Sequence, residues 1–204
     1  MKTFTKIGFS FIGFSFFNHE INSKANYCND LEGVLKTAKK AICIMNPDGD
    51  SNARGIVEIG QIQVGKPTHI RASFTGLSKN GKHGFHIHQW GNLTQGCTTA
   101  GPHFNPENRN HGSPNDEERH IGDLGNVVSD EYGNAKYELI DSKITLFGPK
   151  SIVGRSFVLH KDEDDLGKGN HPDSLKTGNS GSRIACGVVG LIEFTKEDLQ
   201  NYLY

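Results

Sequence analysis

From Ala41 onward, apolar and polar residues alternate. Gln61 and Gln63 alternate with Ile62 and Val64, and Lys136 and Glu138 with Tyr137 and Leu139. A period of two places one face of a strand in a core and the other in water. The pattern predicts strands at 41–46, 55–64, 68–75, 82–90, 123–129, 134–140, 155–160 and 186–194. Turn signals separate them at Pro47-Asp48-Gly49, Gly65-Lys66-Pro67, Asn80-Gly81 and Tyr132-Gly133-Asn134. No strand–helix alternation is visible, which disfavours a parallel α/β fold. Eight short strands joined by tight turns predict an all-β sandwich or Greek-key barrel. Two segments break the rhythm: 91–122 and 161–185 are long, polar and rich in Gly, Pro, Asn and Asp. Loops of that length in a compact domain are functional or disordered, and metal ligation would order them.

The N-terminus follows another pattern. Lys2 and Lys6 precede an apolar stretch of 11 residues, Ile7 to Phe17, too short to span a bilayer but suited to a secretion leader. Ser23-Lys24-Ala25 offers small residues at both positions of a cleavage site. The expectation is a signal peptide at 1–25 and a secreted chain beginning near Asn26. A buried N-terminal helix is the alternative, and Gly8, Gly13 and the Phe/Ser alternation disfavour it. Residues 26–40 read as a polar extension and 195–204 as a C-terminal tail, either a short helix or an exposed contact segment. No other segment predicts a membrane span.

Composition narrows the picture. Glycine is 25 of 204 residues, without the three-residue period of collagen. A mean hydropathy of -0.52 excludes a multi-span membrane protein. Net charge is -1, or -3 once the leader's three Lys and one Glu are removed, which argues against nucleic-acid binding through bulk positive charge. Of four cysteines, Cys43 lies in an apolar run and reads as a buried free thiol. Cys97 and Cys186, in glycine-flanked contexts, are the better pair, leaving Cys28 free or paired between chains. Closing a loop of about 90 residues stabilises by ~4–5 kcal/mol in the chain-entropy model.

Ten histidines carry the chemistry. His86 and His88, two apart on a predicted strand, face one side while Phe85 and Ile87 face the other. Alone, the pair reads more readily as two surface histidines. The first long segment adds His103, His111, His120 and Asp123, and His160 ends the strand Phe157-Val158-Leu159-His160. Six imidazoles and one carboxylate exceed the needs of one tetrahedral ion, so two metals are the simplest reading. An all-imidazole set suits Cu(II), and a His/Asp tetrahedron suits Zn(II). Two four-coordinate sites need one ligand more than seven groups supply, and a single imidazolate bridge would provide it. The arithmetic does not name the bridging residue.

Several stretches carry a resemblance. Gly84-Phe85-His86-Ile87-His88, Ala100-Gly101-Pro102-His103-Phe104-Asn105-Pro106 and Glu117-Glu118-Arg119-His120-Ile121-Gly122-Asp123-Leu124-Gly125-Asn126 resemble copper/zinc superoxide dismutase. So do Val158-Leu159-His160, Asp164-Asp165-Leu166-Gly167 and Gly178-Asn179-Ser180-Gly181-Ser182-Arg183-Ile184-Ala185-Cys186-Gly187. They run in order, with family spacing, through a domain at 41–194, and the leader makes the chain similar to the extracellular members. The resemblance implies an eight-stranded, immunoglobulin-like Greek-key barrel with two long functional loops. It implies one copper per subunit on His86, His88, His103 and His160. It also implies one zinc per subunit on His103, His111, His120 and Asp123, with His103 as the bridge.

The same resemblance pairs Cys97 with Cys186 and makes Asp164 a carboxylate joining His86 to His111. It sets Arg183 beside the copper, holding a small anion, and lines the channel with Lys176 and Thr177. The implied activity is dismutation of superoxide to dioxygen and hydrogen peroxide, as antioxidant defence outside the cell. Trp90, Gly91, Val153 and Val188 match apolar positions near a homodimer contact. Asn92-Leu93-Thr94 is the only N-x-[ST] sequon and falls close to that contact, so no glycan is expected there. One departure stands out: Pro172-Asp173 replaces an adjacent pair of glutamates, which alters the field at the channel mouth. A copper chaperone would carry an extra Met-x-Cys-x-x-Cys domain and a Cys-x-Cys tail, and neither is present. A metal-storage sandwich would bind the ions without turnover. A zinc-only structural domain would need neither Arg183, nor Asp164, nor the His86/His88 pair.

Overall fold

The computed structural model describes residues 32–202; the leader and Cys28 lie outside them. A helical turn over 32–37 (α1) precedes a compact body that begins at Ala38. The body's strands are β1 (Lys39–Pro47), β2 (Arg54–Gln61), β3 (Thr68–Thr75), β4 (Lys82–His88), β5 (Thr94–Cys97), β6 (Asp123–Val128), β7 (Ala135–Asp141), β8 (Ser156–His160), β9 (Arg183–Val188) and β10 (Gly190–Ile192). Two one-turn helices, α2 (Ser174–Thr177) and α3 (Leu199–Tyr202), complete it. Among the described residues, no helix is long and apolar enough to cross a membrane.

Eight strands join in the order β6-β4-β8-β9-β1-β2-β3-β7, all antiparallel, and β10 pairs with β1. The end strands β6 and β7 approach each other, so the sheet curls into a nearly closed, immunoglobulin-like barrel. β1 serves both halves: it pairs with β2 along its length and with β9 at Asn46↔Cys186 and Pro47↔Ala185. The core follows the alternation. In β3, Thr68, Ile70, Ala72 and Phe74 are buried while the residues between them are not. Phe85 lies at the centre, stacked on Phe157 at 5.2 Å between centroids and edge-on to Phe74 and Tyr137. Such aromatic pairs each add ~0.5–1.5 kcal/mol beyond area burial.

β4 and β8 depart from half-burial. All of His83–His88 and all of Ser156–His160 are buried. Phe85, Ile87, Phe157 and Leu159 face the core, and the two long loops cover the opposite, histidine-bearing face.

Three boundaries differ from the sequence expectation. The last strand begins at Arg183, not 186, and breaks at Val189. There the backbone turns to exchange hydrogen bonds with Arg155 and Gly154, so β9 pairs with β8 and β10 with β1. The second strand ends at Gln61, whose amide reaches the Lys66 carbonyl and the Leu146 N–H and stops the ladder. β5 arises inside the first loop, in a segment whose local signals are polar. At the C-terminus, Tyr202 is buried over Gly60 and edge-on to His69, and Asp198 accepts from Lys40 Nζ at 2.7 Å.

Candidate metal centre

Six histidines and two aspartates converge on the outer face of β4. Strand pairing supplies the first three positions. Phe85↔Leu159 and His86↔Val158 fix β4 against β8, and a register shift at Leu159/His160 brings the His160 ring beside His86 and His88. The first long loop then folds back. Phe104 N–H donates to the Ile87 carbonyl, Gly122 N–H donates to the Phe104 carbonyl, and an isolated bridge joins His88 to His103. This lays His103 across β4.

The hydrogen bonds already made by each ring show which nitrogen remains. His88 Nδ1 donates to the Gly101 carbonyl at 2.8 Å and His160 Nδ1 to the Gly181 carbonyl at 3.1 Å. Both therefore turn Nε2 inward, and the two Nε2 atoms lie 3.3 Å apart. His86 Nε2 donates to Asp164 Oδ2 at 2.8 Å, so its Nδ1 faces inward. On the other side, Nδ1 of His103, His111 and His120 all lie 2.9–3.0 Å from Asp123 Oδ1. His111 Nε2 donates to Asp164 Oδ1 at 2.8 Å. The donor atoms of His86, His88, His103 and His160 lie within 4.8 Å of one another, as do those of His103, His111, His120 and Asp123. His103 belongs to both groups, its Nε2 turned to one and its Nδ1 to the other.

Burial leaves these donors with an unmet need. His86 Nδ1, His103 Nε2 and His111 Nδ1 are buried with no hydrogen-bond partner. Although His111 Nδ1 is 2.9 Å from Asp123 Oδ1, the pair lacks hydrogen-bond alignment. His86 Nδ1 and His103 Nε2 face the four-imidazole group and His111 Nδ1 the group around Asp123, and unpartnered buried nitrogens in such clusters are what metal ligation would satisfy. The donor sets fit copper and zinc: four imidazoles on one side, three imidazoles and a carboxylate on the other.

Protonation follows the surroundings. Burial, then repulsion from His103 and His160, holds His86 and His88 well below the usual histidine range, and burial takes His160 down to about 3. These rings are neutral, the form that donates a lone pair. Burial pulls the His111 pKa down, but Asp123 and Asp164 outweigh it and push the value up to about 9. Burial opposes the Asp123 charge, yet the imidazoles of His103, His111 and His120 gathered around it override burial and hold this carboxyl far below the carboxylate range.

Around the cluster, Cys97 and Cys186 form a disulfide with Cα atoms 5.7 Å apart. Cys43 is a buried free thiol, and burial pushes its pKa up to about 12. The Arg183 guanidinium donates through Nη1 to the carbonyls of Cys97 (2.6 Å) and Thr98 (3.2 Å) and through Nη2 to Gly101 (2.7 Å). Lys176 is exposed on α2, 3.8 Å from Asp173, and Thr177 is likewise exposed. Neither touches the imidazoles. α2 itself bears on the centre: the carbonyl of its second residue, Leu175, accepts from His111 N–H at 2.9 Å, and Gly178 closes it at φ +65°. A side chain at Gly178 would strike the Asp164 carboxylate and His111.

Several supporting residues were not legible in the sequence. Asn126 makes a reciprocal pair with the Asp164 backbone, 2.8 Å each way. Buried Arg119 donates to buried Asp141 and, through Nη1, to the Asp123 carbonyl at 3.1 Å. His83 donates from Nδ1 to the His160 carbonyl at 2.9 Å and meets Ser78 Oγ at 2.8 Å, so it is spent on support. Arg119 and Asn126 did lie inside the motif-bearing stretches, but their partners Asp141 and Asp164 are distant in sequence.

Comparison with known proteins agrees with this geometry. The family model for copper/zinc superoxide dismutase matches residues 53–189. The superoxide dismutase [Cu-Zn] of Kluyveromyces lactis is 55% identical over 143 residues, covering 70% of this chain and 92% of the relative. That of Saccharomyces cerevisiae is 53% identical over 143 residues (70% and 93%), and that of Cordyceps militaris 51% over 152 residues (74% and 97%). On the strength of the buried double cage and these matches, the chain belongs to the copper/zinc superoxide dismutase family.

Proposed function

We propose that this protein converts two superoxide anions and two protons into dioxygen and hydrogen peroxide. The observation that carries the reading is the double cage of buried donors sharing His103. His86, His88, His103 and His160 would hold copper, and His103, His111, His120 and Asp123 would hold zinc. Bound copper supplies a one-electron couple, and bound zinc, which has no redox chemistry, supplies charge and loop order.

The remaining work falls to the chain. Three of the five guanidinium N–H groups of Arg183 are taken by carbonyls, leaving its outer donors for a small anion. His103 Nε2 alternates between lone-pair donor and proton carrier, delivering one proton to the departing peroxide while water delivers the other. Asp164 fixes the tautomers of His86 and His111 by accepting from both. Lys176 and Thr177 on α2 line the approach, with Pro172-Asp173 setting its charge.

The extracellular placement rests on the leader pattern of residues 1–25, followed by an extension at 26–40, the catalytic domain at 41–194 and a tail at 195–204. A homodimer is supported by apolar surface at Trp90 (55% exposed) and Val188 (41%) beside Gly91, which abuts the Gly154 carbonyl. Asn92 is exposed next to this patch, so a glycan there would oppose association.

Copper and zinc analysis coupled to an assay of superoxide loss tests the reaction. Metal-loaded protein is expected to give cyanide-sensitive dismutation; bound metal without such activity would leave a storage protein. N-terminal sequencing of the native protein tests secretion, with an intact Met1 against it. Sedimentation tests the dimer, and mass spectrometry of Asn92 tests the absence of a sugar.

A further inference from the structure

Every hydrogen bond of the Arg183 guanidinium goes to backbone, and the Asp48 carboxylate adds an attraction of charge. The three acceptors, Cys97, Thr98 and Gly101, all belong to the disulfide loop, so the guanidinium can be no better placed than that loop. The disulfide and the Trp90–Ala100 and Gln89–Pro102 hydrogen bonds tie this loop from one side, and Asp48, in the turn after β1, ties it from the other. Its Oδ1 accepts from the Cys97 N–H at 3.2 Å. Its own N–H donates to the Ile184 carbonyl at 3.0 Å, one residue from Arg183. The carboxylate lies so close over Gly96, at φ +67°, that a Cβ there would fall upon it. Cys97 is thus gripped on both sides of its peptide frame, at N–H from the β1 turn and at C=O from β9.

We propose that Asp48 is a positioning residue for Arg183, clamping the disulfide loop whose carbonyls orient the guanidinium. The inference rests on the dismutase reading, in which Arg183 orients the anion. The clamp needs an acceptor oxygen at this position; the negative charge, which also favours the Arg183 cation, is lost equally in Asn and in Ala. Asn supplies that oxygen, and Ala does not.

The test compares Asp48→Ala, Asp48→Asn and, as a control in the same turn, Asp50→Ala. Azide binding to copper- and zinc-loaded protein, followed by cupric absorption, reads the placement of Arg183. The rate of disulfide reduction by dithiothreitol in metal-free protein reads the loop. For Asp48→Ala the expected results are an azide Kd raised at least fivefold and reduction at least tenfold faster. Asp48→Asn and Asp50→Ala should stay within twofold of the parent in both. Parent-like behaviour of Asp48→Ala, or losses in Asp48→Asn equal to those of Ala, would overturn the proposal. Should Asp48→Ala not fold, amide exchange at Cys97 in the unaltered protein decides: slow exchange is expected, and exchange at the solvent rate refutes the clamp. Reduction and exchange need no metal, so a failed dismutase assay leaves them readable.

Discussion

The two cages that meet at His103 are built by different means. His86, His88 and His160 stand on neighbouring strands whose register is set by the ladder of β4 and β8 and by an aromatic core beneath. The other cage takes His111 and His120, with His103, from one long loop, and only Asp123 sits on a strand. Its order comes from groups elsewhere. Leu175 and Asp164 hold His111, Asp123 Oδ2 accepts from the N–H of Gly112 and His120, and Arg119 ties the loop to Asp141. A strand-borne site is present before any ion arrives, whereas a loop-borne one depends on cross-loop ties and on the ion itself.

The largest expected effect comes from removing the shared residue. His103→Ala leaves both cages one donor short, so dismutation and zinc retention should both fall by at least about 100-fold, the upper end of what loss of a supporting group costs. Metal analysis and the activity assay on one preparation read both, and retention of either cage's metal would separate the two sites. Asp164→Ala comes next. It strips His86 and His111 of their common acceptor, at ~10–100-fold in metal affinity, with the greater loss at the loop-borne cage. Competition with a chelator measures it, and equal losses at both cages would contradict the contrast.

That contrast also governs what the sequence disclosed. The His86/His88 pair followed from period two on a strand, and the barrel from alternation and turn signals. The His111–Asp164 and Arg119–Asp141 contacts span 53 and 22 residues and obey no local period. Arg119, a charged residue in a charged run, reads as surface until the fold buries it. Val189 looks like mid-strand because its apolar side chain is buried, and only the Arg155 and Gly154 partners reveal the break.

Arg119→Ala isolates the loop-borne side. Removing one partner of a buried ion pair costs ~3–5 kcal/mol. Asp141 keeps two backbone donors, from Lys143 and Ile144, which places the cost toward the lower figure. Denaturant unfolding of metal-free protein reads the stability. Zinc affinity should fall while the affinity of the four-imidazole cage for copper holds. A parallel fall in both would show that Arg119 supports the barrel as a whole.

The gentlest test is pH, because in metal-free protein His111 titrates in the opposite sense to the strand-borne imidazoles. His86, His88 and His160 have folded pKa values below their ordinary 6.5, His160 at about 3. Between those values the unfolded chain binds more protons than the folded one, so stability falls as pH drops below 6.5. The Asp123 carboxylate, held below its ordinary 3.8, adds to this loss at lower pH. His111, raised to about 9, runs the other way: the folded chain keeps a proton that the unfolded chain has released. Its contribution is complete below 6.5 and is lost as pH climbs through about 9. The Tm of metal-free protein should therefore peak near neutrality and decline on both sides. His111→Gln should flatten the alkaline decline and keep most of the acid one, since burial, the main cause of the low values at His86, His88 and His160, is unchanged. An alkaline limb that survives this substitution would place its origin outside the loop-borne cage.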